Sequence, residues 1–183
     1  MRNSMRAISR LAVAVIALGC VGCDQVTKAL AREHLARRPP LTYLDGTVRL
    51  QYTENAGAFL SLGSGLPEGL RFWVFTVFTA VALVALVGFV VVRRELSTFA
   101  RVALALIIGG AAGNLIDRVW NHGFVVDFLN LGIGSVRTGI FNVADVAIVA
   151  GGAMLLLVRH EHRPPDEAAV PPVDAEAEPP PAP

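Results

Sequence analysis

Residues 109–145 read GGAAGNLIDRVWNHGFVVDFLNLGIGSVRTGIFNVAD and place three aspartates, Asp117, Asp127 and Asp145, in strongly apolar sequence. Two of them follow an asparagine by three positions: Asn114 precedes Asp117, and Asn142 precedes Asp145. Residues three apart share a face of a helix, so each asparagine can reach its aspartate or the group that this aspartate serves. Because ionisable residues inside a membrane are costly, these carboxylates are the first candidates for function.

The composition is that of a membrane protein. Of 183 residues, 54% are hydrophobic and 17% are charged, and the mean hydropathy is +0.54. An ordinary soluble domain is less apolar. The net charge of +1 gives no reason to expect nucleic acid as a partner. We expect one membrane domain, residues 1–160, followed by a tail.

Hydrophobic runs predict four transmembrane helices, at about residues 7–23, 72–92, 102–118 and 141–158. Residues 72–92 contain no charged side chain and are long enough to cross about 30 Å of hydrocarbon at about 1.5 Å per residue. The first run follows several arginines and resembles a cleaved signal peptide. Because more spans follow it, we interpret it as an anchor helix. Four spans put both termini on one side.

Arginines near the N-terminus, in the turn at 93–101 and at 159–163 predict that these segments face the cytoplasm. The loop at 24–71 is also basic and conflicts with this orientation, but the short turn and the N-terminus carry more weight. At about 1.5 Å per residue, Asp117 and Asp145 lie about 20–25 Å from the cytoplasmic ends of their helices. Asp24 and Asp127 are predicted at the same outer face, so four acidic groups share one level.

The segments between the spans, residues 24–71 and 119–140, are predicted to lie in the periplasm. Residues 24–38 predict an amphipathic helical extension at the interface, ended by two prolines. Residues 42–52 predict a β-hairpin with a two-residue turn at Asp45 and Gly46, and residues 134–141 a further short strand. The Pro-rich acidic tail, residues 161–183, is predicted to be disordered and cytoplasmic.

Packing signals accompany these segments. Gly109 with Gly113 and Ala147 with Gly151 are pairs of small residues that allow helices to approach closely. Asp117 and its neighbour Arg118 are open to a second interpretation, a buried ion pair that joins the third helix to its neighbours without a catalytic role.

Paired carboxylates predict the chemistry. In a low-dielectric site two of them share a proton, so one can activate water while the other protonates a carbonyl or a leaving group. Other chemistries have weaker support. The histidines are scattered without an HExxH motif, and Cys20 and Cys23 have no third cysteine for a zinc site. A Ser–Lys dyad would need Lys28, the one lysine, with Ser61 or Ser64. For Asp127 and Asp145 a packed, protonated polar pair remains the non-catalytic alternative.

Five short motifs in sequence order resemble those of the bacterial lipoprotein signal peptidases, the type II signal peptidase family. They are DQVTK at 24–28, NAGAF at 55–59, GNLIDR at 113–118, VVDF at 125–128 and FNVAD at 141–145. The resemblance implies an all-α membrane protein of four transmembrane helices with a small periplasmic β-cradle and an interfacial helix. It also implies that the protein cuts diacylglyceryl-modified prolipoproteins on the N-terminal side of the lipidated cysteine.

By the same resemblance, Asp127 and Asp145 match the catalytic dyad, and Asn114 and Asn142 match groups that orient it. Further motif positions are expected to support the dyad or the substrate: Asn55, Gly57, Asp24, Lys28, Asp117 and Arg118. No metal or organic cofactor is implied. We expect a monomer in contact with membrane lipid in the cytoplasmic (inner) membrane, with the active site near its periplasmic face.

Two other functions fit the same residues. Buried acids in four helices suit a proton-coupled transporter or ion-conducting subunit, with Asp117, Asp127 and Asp145 as a relay. Against this, the acids cluster at one face, and no inverted repeat is evident. A membrane-anchored assembly protein, binding its partner through the outer loop, is the third hypothesis.

Overall fold

The computed structural model describes residues 2–57, 63, 65–93 and 95–161. Its helices are α1 (Arg2–Leu35), α2 (Glu68–Val92), α3 (Thr98–Trp120) and α4 (Val143–Glu161). Its strands are β1 (Leu41–Tyr43), β2 (Val48–Asn55), β3 (Val125–Ile133) and β4 (Val136–Arg137). The tail from residue 162 onward and residues 58 and 59 of the outer-loop motif lie outside the described residues.

Within the described residues, three helical segments are long and apolar enough to cross a membrane: Leu11–Leu35, Glu68–Val92 and Thr98–Trp120. The apolar part of α4, Val143–Leu157, is shorter, so a fourth span stays a prediction. Helix α1 runs through residues 24–35 without a break, so the predicted interfacial segment continues the first helix. Its place at the interface stays a prediction as well. The fold therefore combines several apolar helices with a small antiparallel sheet.

Helix α3 is the centre of the helical part and packs mainly against α4 and α1. It begins cleanly because the Ser97 side chain accepts a hydrogen bond from the backbone N–H of Ala100 at 3.1 Å, which satisfies a donor that the helix itself leaves free. Half of the most apolar window of α3 is buried, against 11% for that of α2. Helix α2 therefore presents most of its apolar surface outward.

Glycines allow α3 to lie this close to its neighbours. A methyl group on Gly109 would lie 2.6 Å from the Cβ of Cys20 in α1, and one on Gly110 would collide with the carbonyl oxygen of Ala144 in α4. On the other side of that contact, a methyl group on Gly151 would lie 2.5 Å from the carbonyl oxygen of Ala103. Gly109 and Gly151, two of the small residues singled out in the sequence, thus lie where helix backbones meet.

The sheet is antiparallel, with strand order β1-β2-β3-β4. The loop between β1 and β2 covers residues 44–47, two residues more than predicted, with Leu44, Asp45 and Gly46 at positive φ. The predicted strand at 134–141 is reduced to β4. The long strand β3 was not predicted, because its first residues, VVDF, form a buried run without alternation.

A β-bulge separates two paired parts of β2 and β3. Between the pairs Leu50 with Leu129 and Thr53 with Asp127, β2 contains one residue more than β3. A bulge bends its strand and redirects the side chains that follow it. Beneath the sheet, Ala31 and Leu35 of α1 pack against Phe128. This small core fixes β3 to the end of α1.

Candidate active site

Asp127 is held on β3 almost entirely out of solvent, with 2% of its surface exposed. Its Oδ1 accepts a hydrogen bond from Nδ2 of Asn142 at 2.7 Å, and its Oδ2 accepts one from Nδ2 of Asn55 at 2.8 Å. Each carboxyl oxygen of Asp127 therefore accepts a hydrogen bond from a side-chain amide, one from Asn142 and the other from Asn55.

Asp145 is held by the first turn of α4. The backbone N–H of Asp145 donates to Oδ1 of Asn142 at 2.9 Å, and Oδ2 of Asp145 accepts from the backbone N–H of Asn142 at 3.2 Å. This reciprocal arrangement is a capping box, with asparagine as the N-cap and aspartate at the third helical position. The spacing of three residues therefore has a structural cause: it closes the end of the helix and fixes the carboxyl group there.

Two asparagines connect the carboxyl groups. Asn142 is fully buried and donates from Nδ2 to Asp127 and also to Oδ1 of Asn114, the latter at 3.1 Å. Asn114, on α3, donates from its own Nδ2 to Oδ1 of Asp145 at 2.9 Å. Both aspartates thus belong to one hydrogen-bonded unit built from a strand and two helices.

A buried ion cluster lies behind this unit. Lys28 is 2% exposed, and its ammonium nitrogen lies 2.7 Å from Oδ2 of Asp24 and 3.2 Å from Oδ2 of Asp117. It also donates to Oδ1 of Asn114 at 2.9 Å. Asp24 in turn accepts from the backbone N–H of Ala144 at 3.0 Å, so α1 satisfies a free donor at the start of α4.

Asp117 and Arg118 face different neighbours. Asp117 pairs with Lys28 and accepts from the backbone N–H of Val126 at 2.9 Å. Arg118 donates from Nη2 to the carbonyl oxygen of Gly57 at 3.0 Å, and its guanidinium group lies 5.9 Å from the centre of the Phe75 ring. The ion pair that fixes α3 therefore joins Asp117 to α1 and not to Arg118.

The structure brings all ten predicted site residues into one connected network. The last link is the loop after β2, where the backbone N–H of Gly57 donates to Oδ1 of Asn55 at 2.8 Å. One member of the network was not predicted: Gln25, whose Nε2 donates to Oδ2 of Asp24 and Oδ1 of Asp117, both at 3.2 Å. Its spacing of three from Lys28 placed it on the same face of α1 and is the signal that identifies it.

Burial makes Asp127 an unusual acid. It raises the pKa of Asp127 from its ordinary 3.8 to about 6. The hydrogen bond from Asn55 opposes this rise, and the charge of Asp145 adds to it. A carboxyl group with a pKa of about 6 exchanges its proton readily near neutral pH, as a general acid or base requires.

Two cavities meet at Asp145. One, of about 470 Å³, is lined almost entirely by apolar side chains of α4 and of the segment that precedes it, among them Phe141, Val146 and Val149. The other, of about 360 Å³, lies between α2, α3 and α4 and brings Arg118, Phe75 and Asn114 to the same carboxyl group.

The described residues contain no cluster of three or more histidine, cysteine, aspartate or glutamate side chains that could hold a metal ion. The chemistry available within them is that of two linked carboxyl groups and their amide and guanidinium neighbours. Such a pair can take a proton from a water molecule and give one to a carbonyl oxygen or an amine.

Comparison with known proteins places this chain among signal peptidases. A family model described as "Signal peptidase (SPase) II" matches residues 16–160. The lipoprotein signal peptidase of Leifsonia xyli subsp. xyli is 35% identical over 153 residues, which cover 80% of this chain and 65% of that protein. That of Halalkalibacterium halodurans is 35% identical over 151 residues, covering 81% of this chain and 93% of that protein.

A solved structure shares the fold. It is described as a bacterial membrane enzyme determined by the in meso method at 2.3 Å resolution. It superposes with a TM-score of 0.72 at 28% sequence identity, covering 86% of this chain and 94% of that chain. The similarity therefore extends over most of the described structure, including helices and sheet.

Proposed function

This chain belongs to the signal peptidase II family, and we propose on that basis that Asp127 and Asp145 are its two catalytic carboxyl groups. The chain is a membrane aspartic protease that removes signal peptides from prolipoproteins. The predicted resemblance is confirmed. We assign the cut to the N-terminal side of a cysteine that already carries a diacylglyceryl group.

The bridge made by Asn142 is the observation that supports the dyad most strongly. A single buried amide donates to Asp127 and accepts from the backbone of Asp145. Two carboxyl groups held by one rigid amide keep a fixed separation, which general acid–base catalysis on one substrate requires. Asp145 also borders both cavities, so the substrate reaches the dyad from that side.

The reaction needs one ionised and one protonated carboxyl group. The ionised group takes a proton from water while the water oxygen bonds to the scissile carbonyl carbon, and the other group gives its proton to the carbonyl oxygen. The C–N bond then breaks as the nitrogen receives the proton taken from water. One hydroxyl proton of the intermediate returns to the second carboxyl group. The products are the carboxylic acid of the signal peptide and the free amine of the lipidated cysteine.

The polar and apolar surfaces suit a substrate that stays in the membrane. The apolar cavity along α4, with Phe141 and Val149 in its lining, suits acyl chains or the apolar core of a signal peptide. Arg118 and Asn114 in the second cavity are donors for the peptide backbone near the scissile bond. The sheet covers Asp127 and limits the access of bulk water to the dyad.

We place the protein in the cytoplasmic membrane as a monomer, with both termini in the cytoplasm and the dyad near the periplasmic face. The support is the distribution of arginines in the turn at 93–101 and beyond residue 158. Labelling of single cysteines at residue 95 and residue 45 in intact spheroplasts tests this topology. Reaction of residue 45 alone with an impermeant reagent is expected, and reaction of residue 95 alone would contradict it.

Cleavage of a synthetic prolipoprotein peptide by the purified protein in detergent tests the activity. We expect mass spectrometry to show one cut, directly before the cysteine, in the diacylglyceryl-modified peptide and not in the same peptide without lipid. Equal cleavage of both peptides would contradict the lipid requirement. Absence of cleavage by folded protein, together with a proton flux in liposomes that depends on Asp145, would favour the transporter hypothesis.

A further inference from the structure

We propose that Lys28 is a positioning residue of this reaction: its ammonium group fixes the Asn114 amide and thereby makes Asp145 the ionised member of the dyad and Asp127 the protonated one. The inference rests on the proposed dyad and adds to it a division of roles between the two aspartates. Lys28 is the one lysine of the chain and is 2% exposed.

All three donors of the Lys28 ammonium group have acceptors. They are Oδ2 of Asp24, Oδ2 of Asp117 and Oδ1 of Asn114, at 2.7, 3.2 and 2.9 Å. Two carboxylates are enough to neutralise a buried cation, so charge balance alone does not account for the third contact. That contact joins Lys28 to Asn114, which in turn donates to Asp145.

The contact with Lys28 determines which way the Asn114 amide points. An ammonium group can only donate, so the atom of Asn114 that faces Lys28 has to be the oxygen. The amide nitrogen then faces Oδ1 of Asp145, 2.9 Å away. An N–H donor aimed at a carboxyl oxygen favours the ionised carboxylate. Without Lys28 the Asn114 oxygen keeps a single donor, Nδ2 of Asn142 at 3.1 Å, so the amide nitrogen is held less firmly towards Asp145 and supports its ionised form less well.

The Asn142 amide is oriented by a similar constraint. The backbone N–H of Asp145 donates to its oxygen, so its nitrogen faces Asp127 and Oδ1 of Asn114. The same Asn114 oxygen therefore accepts from Lys28 and from Asn142. Lys28 thus holds the junction through which the two carboxyl groups are connected.

The surroundings of the two aspartates favour the same assignment. Asp145 is only half-buried, lies in the first turn of α4 and lines the same cavity as Arg118. A helix N-terminus stabilises negative charge. Asp127 lies on a strand, and burial raises its pKa to about 6. In the proposed division of roles Asp127 carries the proton and Asp145 takes the proton from water.

Charged groups face the dyad from several elements. They are Asp24 and Lys28 on α1, Asp117 and Arg118 on α3, and the dyad itself on β3 and α4. Helix α2 contributes Phe75 and Thr79, and β2 contributes the neutral Asn55. With Asp127 protonated, the three remaining acids, Asp24, Asp117 and Asp145, face two cations, so removing Lys28 leaves Arg118 alone to balance them.

The test is the pH dependence of cleavage by Lys28→Met, with Asn114→Ala and the double variant alongside. For Lys28→Met we expect kcat to fall by about 10- to 100-fold and the midpoint of the acidic limb of kcat/KM to move up by about one pH unit. KM is expected to change less than kcat, because Lys28 itself lines neither of the two cavities that meet at Asp145. The double variant is expected to be no slower than the slower single variant, since both act through one contact.

Arg32→Met is the matched control, because Arg32 lines the same cavity as Lys28 and lies outside the dyad network. It is expected to leave kcat and the acidic midpoint unchanged. If Lys28→Met does not fold, Asn114→Asp replaces it: Lys28 keeps its acceptor, while Asp145 faces a carboxylate oxygen, and the acidic midpoint is again expected to rise.

Two results would overturn the inference. One is a Lys28→Met protein with fewer active molecules but unchanged kcat per active site and an unchanged acidic midpoint, which indicates a purely structural lysine. The other is an Asn114→Asp protein whose acidic midpoint does not move. Either would leave the dyad intact, whereas failure of the wild type to cleave would refute the proposed function itself.

Discussion

Asp127 and Asp145 are connected through the same amide, yet the chain holds them in different ways. Asp127 lies near the start of β3, where it is paired with β2 and shielded from solvent. Asp145 lies in the first turn of a helix, where its own capping contacts fix it and where two cavities open. The difference teaches that two chemically identical groups, here the proposed dyad, obtain different surroundings from a strand and from the N-terminus of a helix.

The largest effect is expected from the dyad itself. Asp127→Asn and Asp145→Asn should each lower kcat by about 10²- to 10⁴-fold, because each removes a group that transfers a proton. The double variant should be no slower than the slower single variant, since the two carboxyl groups act as a unit. Steady-state cleavage of the lipidated peptide measures this. A loss of kcat in the double variant equal to the product of the two single losses would show that the two groups act separately.

The buried setting of Asp127 should also make the stability of the protein depend on pH. Because the pKa of Asp127 in the folded protein, about 6, lies above its ordinary 3.8, the folded state binds this proton more tightly than the unfolded state. Its contribution is fully present below about pH 4 and is lost as the pH rises to about 6. The free energy of unfolding of the wild type should therefore fall by up to about 3 kcal/mol across this interval.

Chemical denaturation of the wild type and Asp127→Asn in detergent, between about pH 4 and pH 7, measures this dependence. The variant lacks the titrating group, so its stability should change less over the same interval. Parallel curves for the two proteins would show that the buried setting of Asp127 does not control its proton.

Variants of Asn142 and Asn55 test the surroundings of the two aspartates further. Asn142→Ala removes a donor from Asp127 and the cap of α4, so both aspartates lose support, and kcat should fall by about 100-fold. Asn55→Ala removes a hydrogen-bond donor from Asp127 and none from Asp145, and we expect kcat to fall by about tenfold. Equal losses in the two variants would show that the shared amide has no special role.

A smaller effect is expected from the helix contact beside Asp145. Gly110→Ala should destabilise the protein by about 1–3 kcal/mol, because the added methyl group collides with the carbonyl oxygen of Ala144. Gly88→Ala is the matched control in α2, where nothing lies within 4 Å of the added methyl group. Thermal unfolding in detergent compares them. A neutral Gly110→Ala would show that α3 and α4 need no close contact there.

Much of this site could be predicted from short-range spacing. The interval of three between Asn142 and Asp145 indicated a shared helix face, and the structure uses it as a capping box. The order of five motifs was enough to identify the family. Local periodicity is visible in a sequence because it arises from backbone geometry alone.

Long-range partners could not be predicted in the same way. Asp117 and Arg118 are adjacent, but adjacent helical side chains point in different directions, so Asp117 pairs with Lys28 on another helix. Strand β3 was missed because a buried strand lacks alternation, and Asp127 obtains its environment from a pairing with β2 that depends on a bulge. Gln25 joins two carboxyl groups that are far apart in the sequence.

The most direct test of the dyad is the binding of a lipidated peptide whose scissile bond is replaced by a hydroxyl-bearing tetrahedral isostere. Such a compound resembles the intermediate and should contact both aspartates at once. Its dissociation constant, measured directly in detergent, should be at least about 100-fold higher for Asp127→Asn and for Asp145→Asn than for the wild type. Equal affinity in either variant would contradict the claim that these two carboxyl groups together carry out the cleavage.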